Sequence, residues 1–212
     1  DGVGTKIELQ NKYDCLEMAG QDLVAMCVND LICHGAMPYY FLDYIASEKL
    51  DLNKNKKLLK GILQGCQIAE CELIGGETAE MKNVYFRNGM DIAGFSTGFV
   101  YPLNILPHKI EEGDVILGLK SSGLHANGFS LIQELFKNNN LEDFDWKELL
   151  KPTKIYVKEV KNILLKYKRF VNGIAHITGG GFTKNIPLCC NPSIANGTEG
   201  PLPCDINTPF NL

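Results

Sequence analysis

The residues whose types could do chemistry fall in five short strings. The chain opens on Asp1-Gly2-Val3-Gly4-Thr5-Lys6, a carboxylate, a hydroxyl and an ammonium spaced by glycines. Glycines let backbone N–H groups approach phosphate oxygens, a carboxylate can hold Mg²⁺, and a lysine offsets negative charge. The string alone reads equally as a turn with a solvated lysine. Asp30 lies near the end of an apolar helical pattern, shortly before Gly35-Ala36-Met37-Pro38. A carboxylate there faces the negative end of the helix dipole, which a bound cation would offset; a solvated or capping Asp, and a structural Asn29 beside it, are the plainer readings. In Gly75-Gly76-Glu77-Thr78-Ala79-Glu80-Met81 a strand-like run enters glycines and acids, either a loop approaching ligand or a tight turn with exposed carboxylates. Ser121-Ser122-Gly123-Leu124-His125-Ala126-Asn127-Gly128 could cradle an anion against a helix N-terminus, or be an ordinary strand-to-helix loop. His176-Ile177-Thr178-Gly179-Gly180-Gly181 offers close backbone approach beside a histidine that could equally be a core residue.

These strings need elements to position them. Apolar spacing predicts a helix over 17–32, stopped by Gly35 and Pro38, and a strand over 39–45. A second amphipathic helix over 56–71 leads into a short strand over 72–74 that ends at the glycines, and 91–101 alternates as a strand. No helix start is evident in the opening string. Prolines and polar residues from 101 to 113 read as a linker, followed by a strand within EEGDVILGLKSSG. Helices over 128–138 and 153–168, a strand near 171–177 and a helix after the triple glycine complete the pattern. Helices and strands mix without strict alternation, so the expected class is α+β, not a doubly wound sheet. The stretch from 191 to 212 is rich in Pro, Asn and Gly and reads as irregular.

The 212 residues carry a net charge of -4 and no basic block, which argues against a nucleic-acid binder. No run is long and apolar enough for a membrane span, and no signal peptide opens the sequence. The eight cysteines form no CxxC pair, so they read as reduced thiols of a cytoplasmic protein, not as a zinc or disulfide framework.

Taken together, DGVGTK, DLVAMCVNDL, GAMP, FLDY, GGETAEM, DIAGF, SSGLHANGFSL, PTKIYV and AHITGGGF resemble the aminoimidazole ribonucleotide (AIR) synthetase, or phosphoribosylformylglycinamidine cyclo-ligase, family over residues 1 to about 187. The resemblance implies an ATP-dependent ring closure of formylglycinamidine ribonucleotide in purine biosynthesis, with ADP and phosphate released. It implies a two-domain AIR-synthetase-like fold: an N-terminal ATP-binding and dimerising sheet domain (1–104) and a C-terminal α/β domain (105–190), both incomplete, followed by the tail (191–212). Cofactors would be ATP and Mg²⁺, the substrate a small phosphoribosyl compound and the assembly a homodimer, with no nucleic acid and no membrane. Asp1 and Asp30 would hold the metal; Gly2, Gly4, Thr5, Lys6, Glu77, Thr78 and Glu80 would lie near the nucleotide. Ser121, Ser122, His125, Asn127, Gly179 and Gly180 would grip substrate, with His125 and His176 as candidates for proton transfer. The family has sequence before DGVGTK and after the last glycine loop, so truncation at both ends is expected. Lys184 and Leu188 stand where the family has Glu and Arg, and Lys82 where it has Pro. Alternatives are a non-catalytic nucleotide-binding or dimerising fragment, or a superfamily small-molecule kinase such as thiamine monophosphate kinase or selenophosphate synthetase.

Overall fold

A computed structural model describes residues 1–138 and 146–190. The reading of 191–212 as an irregular tail lies outside the described residues. At the centre is α2 (Leu16–Cys33), whose Leu16, Leu23, Val24, Val28 and Ile32 are all buried. It lies against α3 (Leu52–Ala69) with almost no separation between the backbones. A Cβ on Gly61 would come within 2.0 Å of the Glu17 carbonyl oxygen, and one on Gly20 within 2.3 Å of the Leu58 oxygen. Only glycine fits at that crossing. Asp51 caps α3 by accepting from the Asn53 and Lys54 amides. At the other end Glu70 turns left-handed, and the Cys71 and Glu70 amides donate to the Cys66 and Gln67 carbonyls.

One face of a three-stranded sheet, ordered β2-β1-β3, packs on these helices. β1 (Met37–Ser47) runs parallel to β2 (Glu72–Glu80) and antiparallel to β3 (Met90–Phe99). Phe41 and Ile45 of β1 are buried in the core, while Tyr44, Phe95 and Phe99 stand exposed, Phe95 and Phe99 each by more than 60%. The mixed layers give an α+β fold. No helix among the described residues is long and apolar enough to cross a membrane.

Five expectations need correction. A helix, α1 (Lys6–Lys12), starts directly after DGVGT. Seven residues are too few to be helical on propensity alone; burial of Ile7, Leu9 and Gln10 holds it. β2 does not end at its glycines but continues to Glu80, because β1 supplies a hydrogen-bonding partner along its whole length. Gly76 suits that strand since the Asp43 carboxylate occupies the place a Cβ would take, 2.4 Å away. The helix expected over 153–168 begins only with α6 (Val157–Tyr167), because the amides of Thr153 and Tyr156 are taken by side chains of α2. Residues 113–122 and 171–177 form no strand; among the described residues no neighbouring strand takes their backbone groups, and Val115 and Leu117 are exposed. The remaining helices are α4 (Phe129–Asn138), α5 (Trp146–Leu149) and α7 (Gly181–Cys190).

Candidate functional site

The site is built on one face of α2. Asp22 and Asn29 lie seven residues apart, two helical turns, and so point the same way. Asp22 accepts from the Thr153 amide at 2.7 Å and its hydroxyl at 2.6 Å, and from Gln10 at 2.7 Å. Asn29 holds the Lys154 carbonyl at 2.9 Å and the Tyr156 amide at 3.0 Å. Two side chains thereby fix residues 153–156 along the helix as a ribbon.

Lys6 joins this interior. Its ammonium sits 2.8 Å from Asp22, donates to the Lys151 carbonyl at 2.8 Å and lies over the Phe129 ring; both charged side chains are fully buried. Burial lowers the Lys6 pKa, against the opposing pull of Asp22. The rest of the opening loop reaches α4: Thr5 shares a hydrogen bond with Ser130 and accepts from Gln133 through its carbonyl. Gly4 takes φ +68°, and a bridge pairs Gly2 with Ala93 at the outer side of β3. The Asp1 carboxylate is exposed and accepts from the Gly2 amide.

The loop before α4 docks on the ribbon. His125, itself left-handed at φ 61°, accepts at Nε2 from the Ser122 amide (3.2 Å) and the Lys154 amide (3.5 Å). An acceptor Nε2 means a neutral ring with its proton on Nδ1, and burial, then Lys6, lowers the His125 pKa in the same sense. The Ser122 hydroxyl donates to the Pro152 carbonyl and the Tyr156 hydroxyl to that of Lys120. Ser121 is exposed and Asn127 lies beside Gly179, its Oδ1 3.7 Å from where a Cβ there would stand.

The second glycine loop closes the arrangement. Asn185 donates to the Thr178, Gly179 and Gly181 carbonyls, shaping the turn in which Gly180 and Gly181 take positive φ before α7. His176 Nδ1 lies 2.7 Å from Asp30 Oδ1; the histidine is 10% exposed and the aspartate 57%. Two loops, each opening a ten-residue helix, thus meet at the C-terminal half of α2. Helix N-termini beside glycine-rich turns suit anionic groups.

Not every candidate is in this place. β2 lies at the sheet edge opposite Gly2, roughly 14 Å away at three strand spacings of about 4.8 Å. Register also divides its residues: Glu77 pairs with Tyr44 on the exposed face, whereas Thr78 pairs with Ile45 on the helix face. Glu80 accepts from the Leu50 amide and pairs with Lys82. Among the described residues no three His, Cys, Asp or Glu side chains are arranged to hold a metal. A Mg²⁺ carried by a nucleotide needs only one or two protein carboxylates, and the exposed Asp1 and Asp30 are oxygen donors of that kind. Sequence reasoning missed Asp22, Gln10 and Thr153. The available signal was a lone carboxylate among Leu23, Val24, Ala19 and Met26, where a charge must find partners.

Comparison with known proteins bears on the same residues. Residues 1–100 match the family model for the AIR synthase related protein, N-terminal domain, and residues 111–200 that for its C-terminal domain. A phosphoribosylformylglycinamidine cyclo-ligase of Clostridium perfringens is 50% identical over 192 residues, 88% of this chain and 57% of that protein. The enzyme of that name from Clostridium botulinum is 46% identical over 211 residues, 96% of this chain and 63% of that one. The chain therefore spans about three fifths of the length of these relatives. Among solved structures, a HypE–HypF complex aligns with a TM-score of 0.51 at 18% identity over 69% of this chain and 46% of the other, a likeness of fold. By both domain matches and by identity to these relatives, the chain belongs to the AIR synthase related family.

Proposed function

We propose that the protein to which these residues belong closes the imidazole ring of formylglycinamidine ribonucleotide at the expense of ATP, in the cytoplasm. The observation that carries this reading is the meeting of two glycine loops, each opening a helix, beside the exposed Asp30. In the reaction the formyl oxygen receives the γ-phosphoryl group, the amidine nitrogen attacks that carbon, and phosphate leaves with ADP as the other product. Such chemistry asks for positioning and neutralisation of charge, not for a covalent nucleophile.

Asp1 and Asp30 are the residues that would hold Mg²⁺, which supplies charge neutralisation on the phosphates. The amides of Gly4 and Thr5 would face the nucleotide, with Gly2, whose amide is taken by the Asp1 carboxylate, beside them. Lys6 acts from within, anchoring that loop to Asp22 instead of touching phosphate. Ser121, Asn127, Gly179 and Gly180 take the anionic end of the substrate, and Ser122 holds the loop to the ribbon. His176, oriented by Asp30 through Nδ1, presents Nε2 for proton transfer; His125 can act only through Nδ1, since backbone amides occupy Nε2.

The exposed aromatic sheet face supports a homodimer, because contiguous apolar surface of this kind marks an interaction site. Glu77 lies on that face and would reach a nucleotide across the interface; Thr78 and Glu80 lie on the other side of β2.

ADP release from Mg²⁺-ATP by the full-length protein, with and without formylglycinamidine ribonucleotide, tests the reading. Release that depends on that ribonucleotide is expected. Release indifferent to it, but stimulated by another phosphate acceptor, would favour a superfamily kinase instead.

A further inference from the structure

The C-terminal end of α3 carries two thiols that nucleotide chemistry does not use. Cys66 and Cys71 are five residues apart, a spacing that on a continuous helix would turn them to different sides. The left-handed Glu70 reverses the chain, so the Cys71 amide returns to the Cys66 carbonyl at 3.0 Å. A cap of this type lays the residue after the turn against the last helical face. Here both positions are cysteine, 3% and 9% exposed, in one apolar cluster with Cys27 of α2. Both thiols are free, and the turn sets Cys71 against the helix end that carries Cys66. A disulfide bridges Cα atoms about 4.4–6.8 Å apart, a closeness that such a backbone hydrogen bond supplies.

We propose that Cys66 and Cys71 are a reversible dithiol–disulfide site, closed by a small neutral hydroperoxide and reopened by thiols. The Cys71 thiolate attacks the peroxide, giving a sulfenic acid and, for hydrogen peroxide, water. The Cys66 sulfur then displaces the sulfenic oxygen as a second water, so two thiols and one peroxide become one disulfide and two waters. Cys71 is the attacking sulfur because it is the more exposed and because the adjacent Cys66 thiol lowers its pKa. At 9% exposure the Cys71 thiol is reached more readily by a small oxidant than by a bulky disulfide such as oxidised glutathione. The bond ties the root of β2 to the end of α3.

The test uses the wild-type 212-residue chain, treated with limited hydrogen peroxide, alkylated and cut with trypsin. The tryptic peptide spanning residues 61–82 contains Cys66 and Cys71 and no other cysteine. Expected is that peptide, unalkylated and two hydrogens lighter, formed several-fold faster in the folded chain than in urea and restored to two alkylatable thiols by dithiothreitol. Oxidised glutathione should close it more slowly than peroxide. Three results would overturn the site: a doubly alkylated 61–82 peptide, a cross-link from it to the peptide carrying Cys27, or closure no faster in the folded chain than in urea.

Discussion

Two aspartates on one helix, eight residues apart, have opposite surroundings. Asp22, in the first half of α2, is fully buried and accepts from Lys6, Gln10 and both donors of Thr153. Asp30, in the last turns, is 57% exposed and has a single histidine at one oxygen. The first carboxylate organises structure: it fastens the opening loop and the 153–156 ribbon to α2 and so sets where both glycine loops can stand. The second leaves an exposed oxygen unused by the fold. A carboxylate's role follows from how many of its lone pairs the fold already uses, and that count cannot be read from residue type.

The contrast can be broken most forcefully at Asp22. Asp22→Ala leaves the Lys6 ammonium buried without its counter-charge, which should destabilise the fold by about 3–5 kcal/mol in urea unfolding. Lys6→Met combined with Asp22→Leu should recover the part of that loss due to the unpaired charge, while the Gln10 and Thr153 donors stay unsatisfied. A double-variant loss equal to the sum of the Lys6→Met and Asp22→Leu losses would show that the pair is not coupled. Asn29→Ala strands the Lys154 carbonyl and Tyr156 amide and should cost about 1–3 kcal/mol, measured in the same way.

A smaller effect is expected at His125. Its pKa is lowered in the folded chain, so the unfolded chain takes up the proton first as pH falls. This histidine carries no penalty well above its ordinary pKa of about 6.5; stability is lost as pH drops through that value, and the loss levels off below the folded pKa. His125→Gln should flatten that part of the stability–pH curve, and an unchanged slope would remove His125 as its source. Asp30→Asn should be the mildest for stability, within about 0.5 kcal/mol as for exposed positions in general.

How much of this was legible in the sequence differs between the same two halves. Regular apolar spacing announced α2, α3, β1 and β3 close to their observed bounds. Asp30 and His176 were singled out separately by local motif, but their 2.7 Å contact joins positions 146 residues apart and no local pattern encodes it. The start of α6 was misplaced for the same reason: Thr153 and Tyr156 read as helix formers in an amphipathic run, yet their amides belong to Asp22 and Asn29. Gly75-Gly76 read as a loop because glycine is weak in strands; the pairing to β1 and the Asp43 carboxylate that fills the space beside Gly76 are tertiary facts. The apolar run Val115–Leu119 has the composition of a strand without a strand's neighbours.

The division of labour on α2 is tested most directly by calorimetric titration of Mg²⁺-ATP into the wild-type chain and the Asp30→Asn variant, with the unfolding free energy of each measured in parallel. Binding weakened at least about tenfold, roughly 1.4 kcal/mol, with stability unchanged, is the predicted result. Equal affinity in the two proteins, or a loss of affinity that merely follows a loss of stability, would contradict it.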